Sequence, residues 1–168
     1  MEFLELARSR YSVLEYVQRP VEREKVDRIL DAALAAPTAC NRQPQRILVI
    51  DSDEKREKLN RVVSSRTYVP AAFLVCCDRN ESWIRPMDGK SSGDIDVSIV
   101  TTHMMLEATQ LGLGSIWVMY WDPEKMRTEF GLPENLEPTA LLIVGYRAAD
   151  AHPRPGHLHR KTKEEILL

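Results

Sequence analysis

Residues 94–111 read DIDVSIVTTHMMLEATQL, the longest helical pattern in the chain. Ile95, Ile99 and Leu106 fall in different angular sectors from Val97, Val100, Met104, Ala108 and Leu111. A helix apolar around so much of its circumference has to be buried on more than one side. Gly112 stops it at the usual place for a C-terminal glycine. The centre of this protein is therefore expected to be a long helix with structure packed around it.

Working outward, the flanking segments alternate in type without a regular βαβ rhythm. Glu2–Arg8 reads as a short helix, with Phe3, Leu4 and Ala7 at helical spacing. Val26, Ile29, Leu30, Ala33 and Leu34 predict a second helix, acidic in its first turn and running to about Ala36, where Pro37 stops it. Asp53–Val63 predicts a charged surface helix, and Pro123–Phe130 a helix with proline at its first position and Gly131 at its end. Ile47–Ile50, Phe73–Cys77, Ser115–Met119 and Thr139–Val144 read as strands, the second fully apolar and the fourth also buried. Asp78–Gly93 reads as a connection, and the chain after Arg147 as polar and broken by proline until the final Ile166-Leu167-Leu168. This mixture fits an α+β layered architecture. An exposed apolar end suggests packing on something outside the chain.

Composition narrows the functional classes. The chain has 168 residues, 43% hydrophobic and 29% charged, ordinary for one globular domain spanning residues 1–168. Its longest apolar runs, Ala71–Cys77 and Ala140–Val144, are far short of the roughly 20 residues a membrane span needs. A net charge of −2 argues against nucleic acid or an anionic membrane as a partner. Three cysteines, two of them adjacent, do not make a disulfide framework, and MEFLELARSR is not a secretory leader. The expected compartment is cytoplasmic. No Gly-x-Gly-x-x-Gly follows a strand and there is no phosphate-binding Gly-Lys-Ser/Thr loop, so a dinucleotide fold is not expected.

Four clusters could carry chemistry. Arg8-Ser9-Arg10-Tyr11-Ser12 joins two guanidinium groups to hydroxyls, a donor set for phosphate, though a solvated basic turn has the same composition. Ala36-Pro37-Thr38-Ala39-Cys40-Asn41-Arg42-Gln43-Pro44 couples small residues to two carboxamides, which suits the edge of a flat ring with alternating donors and acceptors, or a plain helix-to-strand turn. Gly112-Leu113-Gly114-Ser115-Ile116-Trp117-Val118 is a glycine-punctuated entry to a strand bearing an aromatic residue. His152, His157 and His159 lie in a proline-rich tail without supporting Cys, Asp or Glu, so no metal is expected. Cys76 and Cys77 read as inert core residues. His103 and Glu107, four apart, predict a local hydrogen bond, and Asp94 reads as a helix-start residue.

The order of these clusters is more specific than any one of them. Arg-Tyr-Ser near the start, then Pro-x-x-x-Asn-x-Gln-Pro after a helix, then Gly-Leu-Gly-Ser-Ile-Trp, then Arg160-Lys161 before Glu-Glu-Ile, resembles the FMN-dependent nitroreductase family over about Phe3–Ile166. The segment Gly93–Val97 with His103 also resembles the start of that family's central helix. The resemblance implies a three-layer α/β/α sandwich around a mainly antiparallel sheet, in an intertwined homodimer with an FMN at each of two shared sites. It implies that Arg10, Tyr11 and Ser12 hold the FMN phosphate and ribityl chain, with Arg160 and Lys161 closing from the tail. Pro37, Thr38, Ala39 and Asn41 would line the isoalloxazine from the partner subunit, and Trp117, Met119 and Tyr120 its other side. Two guanidinium groups can neutralise the nearly dianionic phosphate. The implied activity is hydride passage from NADH or NADPH through flavin N5 to a nitroaromatic, quinone or similar acceptor, in ping-pong order and without a catalytic side chain.

One position departs from the family pattern. Two residues after the phosphate-binding Ser12, where the family commonly has Arg or Lys beside the flavin N1–C2=O edge, this chain has Leu14. A leucine cannot stabilise the negative charge that gathers there on reduction, so a lower flavin potential is expected. Leu14 is also the feature that favours an alternative, a flavin-binding or sensing protein with little turnover. Gln45 replaces an aromatic common after Gln-Pro, which bears on substrate preference.

Overall fold

The computed structural model describes residues 2–63 and 68–168. Six α-helices and four strands are seen among them: α1 (Phe3–Ser9), α2 (Arg23–Ala35), β1 (Gln45–Ile50), α3 (Asp53–Val62), β2 (Ala71–Asp78), α4 (Gly93–Gln110), β3 (Gly114–Val118), α5 (Pro123–Phe130), β4 (Leu136–Gly145) and α6 (Lys163–Ile166). The strands form one sheet in the order β1-β2-β4-β3, each neighbouring pair antiparallel. Both inner strands are almost wholly buried, which is why they read as continuous apolar runs rather than alternating ones.

Side chains alternate across the sheet and build a core on each face. Phe73, Val75 and Cys77 of β2 pack with Val26, Ile29 and Ala33 of α2 and with Val97, Val100, Met104 and Ala108 of α4. Ala72, Leu74 and Cys76 point the other way, to Leu59 of α3 and Met126 of α5. The result is the expected three-layer α/β/α sandwich. The central helix α4 lies against the sheet, α2 and α1, yet Ile95 remains 54% exposed. Its apolar circumference is thus only partly covered by its own chain.

Several bounds differ from the sequence reading: β1 begins at Gln45 rather than Ile47, and β2 at Ala71 rather than Phe73. Strand β4 begins at Leu136 rather than Thr139. Pro138 concealed the extension because it has no N–H for a ladder, and a register shift between Val75 and Cys76 accommodates it opposite Cys76. Strand β3 ends at Val118, one residue early. The tail holds a 3-10 turn at Pro155–Leu158 and the short α6, whose capping box pairs Thr162 with Glu165.

An extended strap, residues 10–22, ties the N-terminus to the outer edge of β3. Ser12 bridges Ser115 in parallel and Tyr16 bridges Arg147, with Val13 N–H donating to the Ser115 carbonyl at 2.9 Å. Gly114 permits this approach, since a Cβ there would stand 2.7 Å from Val13 Cγ2. Farther along, Tyr146 donates to Glu22 at 2.5 Å and accepts from Lys25 at 2.9 Å. Among the described residues no helix is long and apolar enough to cross a membrane.

Candidate functional site

Arg10 follows α1 and is half-buried at the start of the strap. Burial, and secondarily the positive charge of Arg160, pull the pKa of its guanidinium below the usual value. Arg160 comes from the tail, where it donates to the His159 carbonyl at 2.9 Å and meets His157 Nδ1 at 3.5 Å. Among the described residues neither arginine has a carboxylate within ion-pairing distance. Guanidinium groups left without a carboxylate of the chain's own are the donor type that an anion needs. Tyr11 acts differently. Its hydroxyl donates to the Ala151 carbonyl at 3.0 Å, pinning the tail to the strap. Lys161 is exposed.

Ser12 and Leu14 border a polar cavity of about 210 Å³ shared with Glu15, Asp150, His152 and Arg154. Leu14 also borders an apolar cavity of about 220 Å³, with Ile116, Val118, Tyr68 and Tyr120. This one leucine, 39% exposed, is therefore the wall between a polar chamber and an apolar one. Trp117 packs partly against the α2–α4 side of the sheet, whereas Tyr120, 90% exposed, belongs to the cavity on the other side. Met119 links them through the Trp117 indole N–H, which donates to its Sδ at 3.1 Å. The three residues do not form one continuous wall within the chain.

The second cluster is a loop of unusual backbone. Cys40, Asn41 and Gln43 all have positive φ, at 50°, 52° and 50°. Side chains with a Cβ seldom adopt this region, and such strain persists only where surrounding bonds over-determine it. Gln43 N–H donates to Thr38 Oγ1 at 3.0 Å, and Ala39 N–H donates to Asp96 Oδ1 at 2.8 Å. Pro37 and Asn41 are exposed, Thr38 and Ala39 half-buried. The loop thus presents small residues and a carboxamide to solvent on a fixed backbone. Gln45 Oε1, just beyond it, is buried and finds no partner among the described residues.

The two clusters are far apart in one chain. The loop enters β1, whose first residue Gln45 pairs with Cys77 at the end of β2, itself opposite Glu137 at the start of β4. Ser12 lies beside Ser115, which pairs with Val144 near the end of β4. They occupy diagonal corners of the sheet, roughly 25–30 Å apart from the usual strand spacing and rise. A single copy does not bring them to one ligand.

Some residues depart from the sequence reading or escape it. His103 does not bond Glu107: its Nδ1 faces the Ile99 carbonyl at 2.9 Å, and Glu107 pairs with Arg28 of α2 at 2.6 Å. Helix packing supplied Glu107 with a stronger, charged partner. Asp96 escapes a reading that considers only its two-residue offset from Asp94. A carboxylate followed by Val97 and Val100 on a buried face is the signal that could have found it. Burial pushes the Cys76 thiol up to about 12, and the Cys77 thiol upward too, which leaves both poor nucleophiles. Among the described residues no three His, Cys, Asp or Glu side chains are grouped to hold a metal ion.

The sequence profile of the nitroreductase family matches residues 7–72 and 67–146. A protein of Methanothermobacter thermautotrophicus, provisionally named NADH dehydrogenase/NAD(P)H nitroreductase, is 30% identical over 95% of this chain and 86% of its own length. The NADPH-flavin oxidoreductase of Vibrio harveyi is 26% identical over 94% of this chain and 72% of its own. The crystal structure of a nitroreductase family protein from Clostridium difficile 630 superposes with a TM-score of 0.94 at 47% identity, covering 100% of this chain and 98% of that one.

Proposed function

The chain belongs to the nitroreductase family, and from that premise we propose that it is an FMN-dependent NAD(P)H oxidoreductase working as a homodimer. FMN, when bound, would supply hydride-relay chemistry at its N5 between NADH or NADPH and a nitroaromatic, quinone or similar acceptor, in ping-pong order. The protein's residues bind and orient. Arg10 and Arg160 hold the phosphate, with Ser12 as a neutral donor and Lys161 reaching in from the tail. Tyr11 fixes the strap against the tail, and Leu14 meets the ring system where the polar and apolar cavities join. Pro37, Thr38, Ala39 and Asn41 of the second subunit line one side of the ring, and Trp117, Met119 and Tyr120 the other. No side chain has to move a proton for hydride transfer, so none is assigned as catalytic.

The observation that carries this reading is the tail folded onto the strap, where Tyr11 bonds the Ala151 carbonyl and meets the His157 ring, His157 in turn meeting Arg160, next to Arg10 and Ser12 in sequence and to the two cavities that Leu14 borders. The donor set fits the phosphate end of FMN, and the adjoining apolar chamber fits a flat ring. The dimer is supported by the diagonal placement of the two clusters. It is supported also by apolar residues left in solvent: Phe3 and Leu4 on α1, Ile95 on α4, and Ile166, Leu167 and Leu168 at the end.

Spectroscopy of purified protein tests the proposal. It should be yellow, bleach anaerobically with NADH or NADPH, and recover its colour when a quinone or nitroaromatic is added. Colourless protein that takes up no FMN refutes it. Yellow protein that neither nicotinamide bleaches establishes instead the low-turnover flavin-binding role that Leu14 favours.

A further inference from the structure

Asp96 is a carboxylate only 1% exposed, yet no part of the proposed chemistry uses it. Among the described residues each oxygen has one donor: Oδ2 accepts from Ser92 Oγ at 2.7 Å, and Oδ1 from Ala39 N–H at 2.8 Å. Its own position is rigid. Ser92 N–H donates to the Trp83 carbonyl at 2.9 Å, and Asp96 N–H to the Ser92 carbonyl at 2.9 Å. A Cβ on Gly93 would lie 2.5 Å from Cys77 Sγ, so the first turn of α4 sits hard against the end of β2. By contrast, the bonds from Asn41 N–H to the Thr38 carbonyl, Arg42 N–H to the Ala39 carbonyl and Gln43 N–H to Thr38 Oγ1 all stay inside the loop. They set its shape but not its place; a further outward bond, Arg42 Nε to the Glu81 carbonyl at 3.2 Å, is exposed to solvent.

We propose that Asp96 is the positioning residue of the flavin-facing loop, holding Thr38–Gln43 to the first turn of α4 through the Ala39 amide. The inference rests on the assignment of that loop to the flavin ring. A carboxylate suits this role because it only accepts, and here it meets a donor on each side. An asparagine of the same shape can meet Ala39 N–H only with a neutral carbonyl, its NH2 turned to Ser92 Oγ, so the charge that strengthens the tether is lost. Three positive-φ residues need such a tether, because a freed loop relaxes toward backbone that its side chains prefer.

The test is titration of the apoprotein with FMN and, separately, with riboflavin, followed by flavin fluorescence, for wild type, Asp96→Asn and Ser92→Ala. Turning a charge-assisted hydrogen bond into a neutral one should raise the Kd of Asp96→Asn about five- to tenfold. The same factor should appear for riboflavin, because the loop faces the ring and not the phosphate. Ser92→Ala, which removes the hydroxyl orienting the carboxylate, should raise both values about threefold, on the weaker scale of a neutral hydrogen bond. Folded Asp96→Asn with unchanged Kd overturns the inference while leaving the flavin assignment standing. If Asp96→Asn does not fold, unchanged Kd in Ser92→Ala overturns it in the same way. Wild type that takes up neither flavin overturns the loop assignment and this inference together.

Discussion

Replacing Arg10 with methionine should move ligand affinity and apoprotein stability in opposite directions. Methionine keeps an apolar stem to pack against the strap and removes only the guanidinium. In the proposed complex that group makes a charge-assisted contact with a phosphate, worth about 1.5–3 kcal/mol. The Kd for FMN should therefore rise roughly 10- to 150-fold. Without ligand the same guanidinium faces Arg160 and has no acidic partner among the described residues. Its removal relieves a repulsion, which solvent screening keeps below about 1 kcal/mol because both groups reach water. The apoprotein's Tm should stay level or rise, by at most about 2–4 °C for a domain of this size. The assay is fluorescence titration with FMN and riboflavin beside thermal unfolding of the apoprotein. Riboflavin lacks the phosphate, so its Kd should hardly change. An equal loss for both flavins, or an unchanged Kd for FMN, refutes the assignment of Arg10 to the phosphate.

Other substitutions probe separate parts of the structure. Leu14→Lys should raise the midpoint potential of bound FMN: a cation about 6 Å from the gathering charge, at an effective dielectric near 20–40, contributes about 1–3 kcal/mol, or roughly 30–60 mV for a two-electron couple. Spectroelectrochemistry that finds equal potentials in the two proteins sinks the idea. Glu22 has its pKa drawn down from 4.5 to about 2, chiefly by the Tyr146 hydrogen bond and then by backbone and Arg19 hydrogen bonds. A lowered folded-state pKa means that its contribution is complete above about pH 4.5 and is lost as the pH falls toward 2. Urea unfolding between pH 5 and 2 should accordingly show a shallower loss for Tyr146→Phe than for wild type, and parallel curves would argue against it. Phe73→Ala empties a site with 0% exposure at the centre of β2, so denaturant unfolding should show a loss of about 3–5 kcal/mol.

The elements were mostly legible because helix and strand periodicity is written in neighbouring residues. The apolar positions of α2 and the all-round apolar character of α4 follow from 3.6-residue geometry. Proline and glycine marked the ends of α2, α4 and α5, since each acts on its own backbone. Where local rules failed, another segment intervened. Pro138 reads as a strand breaker until the irregular pairing at Val75 and Cys76 accommodates it. Glu107 reads as a partner for His103 until α2 brings Arg28 within 2.6 Å.

For the site, the residue types and their order could be read directly. Arginine and serine near the start, a small-residue loop with carboxamides, and an arginine in the tail are chemical facts of the chain. Their grouping was not. Arg10 and Arg160 come from opposite ends of the sequence and converge because the strap and the tail pack together at Tyr11 and Ala151. Ala39 finds its acceptor 57 residues away, on the buried first turn of α4. The loop and the arginine pair lie at opposite corners of the sheet because the order β1-β2-β4-β3 puts β1 and β3 at its two edges. Sequence alone determined the first five helices, the four strands apart from their ends and the chemical inventory, since those depend on residues a few positions apart. Tertiary structure alone decided which groups share a neighbourhood, because contacts between distant segments are set by how the layers pack.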